Sequence, residues 1–321
     1  MTTEETNRPS GTKPLRAAVA GAGVFGTYHA RKYAAHPDVE LVAIVDPDLA
    51  RATKLAEEVG AKAIARLADA LPQIEILTVA TPAVYHYETA KEALVAGKHV
   101  LVEKPLSLST AHADELITLA EASDLILQVG HQERFVFDAV GLLTRDVAPT
   151  KISATRAGPF SGRALDTSVV MDLMIHDLDL IHQVVPGVVA AVEADAKTVH
   201  GDHPDEVAAK LTFEDGAEVT LLASRIAGGP NRTMSLTYPD GAVNIDFIGR
   251  TVENTTPHQL GDIFGDVDHP VMKDPLGHAV AHFVESVRNK TQPAITGRCG
   301  RRALDTALKI HKAAGVAAPA A

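Results

Sequence analysis

The stretch that decides the fold reads Leu15-Arg16-Ala17-Ala18-Val19-Ala20-Gly21-Ala22-Gly23-Val24-Phe25-Gly26. After Arg16 its first half is apolar on both faces, which suits a parallel strand buried in the middle of a sheet. A GxGxxG pattern follows at once, and residues 27–35 read as a helix. Alone, such a pattern marks many ordinary turns. Between a strand and a helix it makes a specific demand. Gly21 allows the tight turn, Gly23 lets backbone approach a pyrophosphate, and Gly26 lets the helix pack close to the strand. Free N–H groups and the positive dipole end of the helix then face the phosphates, with Val24 and Phe25 of the motif beside them.

Working outward, apolar strand patterns recur at residues 41–45, 74–80, 99–102 and 125–129. Helical patterns fill residues 48–59, the stretch from the third strand to Ala96, and residues 109–123. Gly97 stops one helix and Ser109 caps the next. Strands alternating with helices imply parallel βαβ units. Asp46 ends the second strand, 23 positions after Gly23. A carboxylate there can bond both ribose hydroxyls and repels a 2′-phosphate, and no arginine immediately follows it. NAD is therefore expected rather than NADP. The alternative is that Asp46 merely caps the next helix.

Composition narrows the function classes. The chain has 321 residues, room for about two domains, and a formal net charge of −11 with no basic cluster. Nucleic acid and anionic membrane surfaces demand the opposite charge. No apolar run reaches the roughly 18 residues of a membrane span. The single cysteine, Cys299, excludes an intramolecular disulfide and fits a reducing cytoplasm. It is either a packing residue or a reactive thiol. Residues 1–13 are polar and read as a disordered lead-in, and the Ala- and Pro-rich end as frayed. In the second half, strand patterns at 207–213, 218–224, 233–237 and 243–248 follow one another without helices, with turn signals at Glu214-Asp215-Gly216 and Pro239-Asp240-Gly241. Helices return at 276–288 and 301–313. The expected fold is α/β: an N-terminal Rossmann domain over residues 14–130, then an α+β domain with a mostly antiparallel sheet over 131–321.

Two further segments carry a resemblance. Residues 94–105 read Leu-Val-Ala-Gly-Lys-His-Val-Leu-Val-Glu-Lys-Pro, and residues 172–179 read Asp-Leu-Met-Ile-His-Asp-Leu-Asp. With the glycine motif, Thr81-Pro82, His86, Gly130 and Arg134-Phe135, the chain resembles the Gfo/Idh/MocA oxidoreductases. The resemblance implies a second domain that binds substrate, and a homodimer or homotetramer formed through its open sheet. It implies cofactor contacts at Thr81, Pro82, His86, Glu103 and Lys104, and catalysis by Lys104, Asp172 and His176, with Asp179 completing a DxxxHxxD pattern. Substrate contacts fall to Lys104, Arg134, Asp172 and His176, with no metal. The reaction implied is NAD-dependent oxidation of a secondary hydroxyl of a sugar, nucleotide sugar or polyol, as in the inositol and UDP-N-acetylglucosamine dehydrogenase branches. A non-catalytic dinucleotide-binding regulator or scaffold of the same fold is the alternative.

The residues support the resemblance independently. At about 100° per residue, Asp172, His176 and Asp179 fall on one helical face, with Asp177 pointing away. A His whose free pKa lies near neutrality suits proton removal from an alcohol, and a lysine suits stabilisation of charge developing on oxygen. The chain departs from the family pattern at Thr167-Ser168-Val169-Val170-Met171 and at His131-Gln132-Glu133, both next to the substrate in relatives.

Overall fold

The computed structural model describes residues 13–266 and 268–317. The expected lead-in, Lys13 aside, and the last four residues lie outside the described residues.

Six strands form the first sheet: β1 (Leu15–Ala20), β2 (Val39–Val45), β3 (Lys62–Ile64), β4 (Ile76–Val79), β5 (His99–Val102) and β6 (Leu127–Val129). Between them run helices α1 (Val24–Ala35), α2 (Leu49–Val59), α3 (Leu67–Ala70), α4 (His86–Val95) and α5 (Thr110–Ala122). The strand order is β3-β2-β1-β4-β5-β6 with every pairing parallel. This is the doubly wound arrangement that the apolar strands called for. The order reverses between β1 and β4, where such sheets open a ligand crevice. Ser109 does cap α5, accepting from the His112 N–H at 3.2 Å. Helix α1 begins at Val24, so the glycine motif itself enters the helix earlier than the expected residue 27.

After α6 (Glu133–Ala139) the chain builds a seven-stranded sheet from β7 (Lys151–Ala157), β8 (Val189–Lys197), β9 (Glu206–Phe213), β10 (Glu218–Ser224), β11 (Asn231–Tyr238), β12 (Gly241–Asp246) and β13 (Thr251–Asn254). Their order is β13-β12-β11-β7-β10-β9-β8, antiparallel except for β7 with β10. The expected strand to residue 248 stops at Asp246, whose Oδ1 accepts the N–H groups of Ile248 and Gly249 and turns the chain. Strands β7, β8 and β13 carried no clear sequence signal, because small or charged residues dilute their alternation. One face of the sheet is apolar, with Leu211, Phe213, Val219, Leu236 and Val243 buried. It packs on α7 (Ile175–Val184) and α10 (Gly297–Ala313). Two other helices, α8 (Pro270–Lys273) and α9 (Pro275–Asn289), precede α10.

Helix α9 belongs to the first sheet's core, although it lies far along the chain. Its Val280, Phe283, Val284 and Val287 are buried with Ala17, Val19, Ala30 and Tyr33. The second half of the sequence therefore covers one face of the first sheet as well as forming its own.

Candidate functional site

The crevice at the β1–β4 switch is shaped by backbone. Gly21 has φ +97°, and a Cβ there would lie 2.5 Å from the Ala80 carbonyl oxygen. A Cβ on Gly26 would lie 1.8 Å from the Gly21 oxygen, so no side chain fits at either position. At Gly23 a Cβ would meet nothing within 4 Å. Gly23 instead borders a cavity of about 610 Å³ at the start of α1, with no side chain capping that helix. The open backbone, the uncapped helix N-terminus and the switch point fit a dinucleotide pyrophosphate.

Most of the expected cofactor residues line this cavity: Gly21, Gly23, Val24, Phe25, Asp46, Thr81, Pro82, His86, Glu103 and Lys104, with Asp172 also in its wall. Gly26 lies beneath the turn instead. Asp46 does not cap α2; Asp48 does, accepting from the Arg51 N–H at 3.1 Å. The Asp46 carboxylate accepts the Ala22 N–H at 2.8 Å and the Asp48 N–H at 2.9 Å. It also takes the Arg51 guanidinium at 3.1 Å. An arginine thus stands beside Asp46 in the crevice after all. Sequence inspection beside Asp46 missed it because the first turn of α2 brings it back from five residues on.

His86 is buried between two loops. Its Nδ1 lies 2.7 Å from the Pro105 carbonyl and its Nε2 2.9 Å from the Thr81 carbonyl, so it pins the Thr81-Pro82 loop to the Glu-Lys-Pro segment. Glu103 is also buried, its Oε1 2.7 Å from His29 Nε2 on α1. Burial pushes the Glu103 carboxyl up, but His29 and Lys104 outweigh it and hold the group below its ordinary range. Gly130 is small for Glu103's sake: a Cβ there would lie 2.9 Å from that carboxylate.

Lys104 leaves this segment and reaches the second half of the chain. Its Nζ donates to Asp172 Oδ1 at 2.8 Å and to the Asp172 carbonyl at 2.7 Å. Asp172 lies in a π-helical turn, Val170–Met174, that runs into α7. The wider turn changes the angles expected of a regular helix. His176 makes no hydrogen bond to Asp172 among the described residues, and its Nδ1 is buried without a partner. Its ring stands edge-on to His131, with centroids 5.9 Å apart. Burial pushes the His176 pKa well below the ordinary value. Glu133 opposes this, while Lys104, Arg156 and His131 add to it. The ring is neutral at pH 7.

Two expectations need correction. Asp179 does not share the site: it is 1% exposed and held by the Nε and Nη2 of Arg134. Arg134, expected to contact substrate, is committed to Asp179, to the Ala294 carbonyl at 2.7 Å and to Cys299 Sγ at 3.2 Å. A guanidinium buried and spent in this way offers a substrate no donor. The remaining polar residues of α7 diverge too. Asp177 takes Arg156 of β7 at 2.7 Å, and His182 lies 2.8 Å from Thr306.

Sequence reasoning also missed a charged cluster beside His176. Arg156 donates to Glu133 at 2.6 Å and 3.0 Å, and Arg232 of β11 joins the same carboxylate. Burial pushes Glu133 up, but Arg156, His176 and Arg232 hold it far below the ordinary carboxylate range. The departure at His131-Gln132-Glu133 was the available sign.

Fold and crevice together define an NAD-binding oxidoreductase with a Rossmann domain. Residues 15–131 match the model of the oxidoreductase family with an NAD-binding Rossmann fold, and residues 144–244 match the GFO/IDH/MocA C-terminal domain. The chain is 33% identical over 307 residues to UDP-N-acetylglucosamine 3-dehydrogenase of Acidithiobacillus ferrooxidans, covering 93% of this chain and 97% of that one. A solved structure of that protein superimposes with a TM-score of 0.85 at 31% identity, covering 94% of this chain and 98% of the other. GenD2 from gentamicin A biosynthesis, solved in complex with NAD, gives 0.83 at 25% identity and 97% coverage of both chains. This chain belongs to the Gfo/Idh/MocA oxidoreductase family.

Proposed function

We propose that Lys104, Asp172 and His176 form the catalytic centre of an NAD-dependent dehydrogenase that oxidises a secondary hydroxyl of a sugar, nucleotide sugar or polyol. The observation that carries this reading is the 2.8 Å contact of Lys104 with Asp172 in the wall of the dinucleotide crevice. NAD, when bound, supplies the hydride acceptor. His176, neutral, takes the hydroxyl proton as the carbon loses its hydride, leaving a ketone. Lys104 donates to the reacting oxygen and stabilises the negative charge that develops there. Asp172 orients Lys104 rather than the imidazole.

In this reading Gly21, Gly23, Val24 and Phe25 receive the pyrophosphate, and Asp46 receives the ribose hydroxyls. Thr81 and Pro82, pinned by His86, flank the nicotinamide end, and Glu103 positions Lys104. Residues 14–130 bind cofactor and 131–321 supply the substrate side. The open face of the seven-stranded sheet is rich in small and hydroxyl side chains, including Ser153, Ala208, Thr220 and Ser235. It serves as the contact of a homodimer or homotetramer. No helix among the described residues is long and apolar enough to cross a membrane. With its lone thiol, the chain fits the cytoplasm. NADH formation on a panel of polyols, free sugars and UDP-sugars tests the reading. Reduction of NAD by at least one member supports it, and silence across the panel with NAD bound overturns it.

A further inference from the structure

A second cavity, of about 400 Å³, opens beside the catalytic centre. It meets the dinucleotide crevice at Phe25, which lines both. Gln132 and Glu133 line it and directly follow His131, whose ring stands edge-on to His176, so the cavity adjoins the proposed proton acceptor.

Its walls are cationic and aromatic. Arg232 and Arg250 both line it. Arg232 lies over the Phe247 ring, 4.7 Å from its centroid. Phe25 and Tyr28 form an edge-to-face pair, 6.2 Å between centroids, exposed by 42% and 46%. Within this cluster Glu133 pairs with Arg156 and Arg232, and Asp177 with Arg156. Arg250 is exposed and has no ion pair among the described residues. Arg232 Nε and Gln132 Oε1 are buried polar atoms without partners, and both residues line the cavity. A neutral polyol can use guanidinium N–H groups and aromatic rings, but it leaves the unspent positive charge of Arg250 unmatched. Together these features suit an anionic group that carries a flat ring.

We propose that this cavity is the subsite for the nucleoside diphosphate part of the substrate, with the diphosphate on Arg232 and Arg250 and the base against the Phe25–Tyr28 pair. Guanidinium forks match phosphate oxygens, and exposed aromatic rings stack bases. Glu133 and Arg156 then fix Arg232 rather than bind substrate. The inference rests on the dehydrogenase reading and selects the nucleotide sugar from the classes that reading allows.

The test is titration of UDP, and separately of inorganic pyrophosphate, into the NAD-saturated protein by calorimetry, for the wild type, Arg250→Ala and Arg250→Lys. Saturation with NAD keeps UDP out of the adenosine site. UDP is expected to bind, pyrophosphate more weakly. Arg250→Ala should weaken both about tenfold, the loss of one charged hydrogen bond, with Arg250→Lys between. NAD affinity should not move. No binding of UDP by the wild type, or affinity indifferent to Arg250, overturns the subsite. Arg250-dependent UDP binding without any hydride transfer keeps the subsite and overturns the dehydrogenase reading. Turnover of a free polyol by a protein blind to UDP does the reverse.

Discussion

Lys104, just after β5 of the first sheet, and Asp172, in the turn that runs into α7, meet at 2.8 Å. They stand 68 residues apart in sequence, and their contact joins the two halves of the chain in the wall of the crevice. Lys104→Met should lower kcat by about 10²–10⁴-fold, the usual worth of a positioned proton-handling group, while NAD affinity changes little. Stopped-flow NADH formation and NAD titration check both. Asp172→Asn keeps the shape but loses the charge that holds Lys104, and should cost less than loss of the lysine. Near-normal turnover by Lys104→Met would sink the assignment.

Asp46 and Arg51 share the ribose end of the crevice at 3.1 Å. The carboxylate repels a 2′-phosphate, but the arginine is ready to receive one once the carboxylate is gone. Asp46→Ser should raise the KM for NAD about tenfold and shift preference toward NADP by a similar factor or more. Asp46→Ser/Arg51→Ala should lose the gain for NADP. KM values for both cofactors decide this, and an unchanged preference in Asp46→Ser would refute it.

The proposed substrate side depends on neutral histidines. Burial pushes His182 and His311 down to about 4, from an ordinary value of 6.5. Arg302 adds to the shift at His182 and His203 at His311. Between these values the unfolded chain binds protons that the folded protein does not. Stability from these rings is therefore full above pH 6.5 and lost as pH falls toward 4, on the order of 1 kcal/mol per histidine per pH unit. His311 Nε2 lies 2.7 Å from Ser168 Oγ, which accepts the Met171 N–H at the start of the turn carrying Asp172. Melting should thus drop steadily between about pH 7 and about pH 5, with activity failing alongside. A flat Tm across that range contradicts the prediction.

Arg134 and Asp179 form a buried pair whose role is cohesion. Arg134→Ala leaves the Asp179 carboxylate buried and unpaired, and should cost about 3–5 kcal/mol in denaturant unfolding. The surviving folded fraction should keep its substrate KM. A raised KM with unchanged stability would return Arg134 to the substrate pocket.

The order of elements was legible because it depends on local pattern. A strand apolar on both faces, GxGxxG at its end and Asp46 after the next strand determine a parallel nucleotide-binding sheet without reference to anything distant. Asp172 and His176 were picked out by the resemblance of their segment to the family's DxxxHxxD pattern, with their helical spacing in an apolar segment as support. The partners of these residues were not. The π turn at Val170–Met174 alters the angles that a regular helix assigns to Asp172. Asp179 looked like its neighbours until Arg134, 45 residues away, proved to hold it. Glu133, Arg156 and Arg232 come from α6, β7 and β11, and only the packing of sheet on helix brings their charges together. Local sequence thus determined the nucleotide-binding sheet, the cofactor and the family, because backbone geometry and short motifs specify them. Which charges are spent on one another and which remain free was decided only by the tertiary structure, since pairing depends on distance in space and on the exclusion of water.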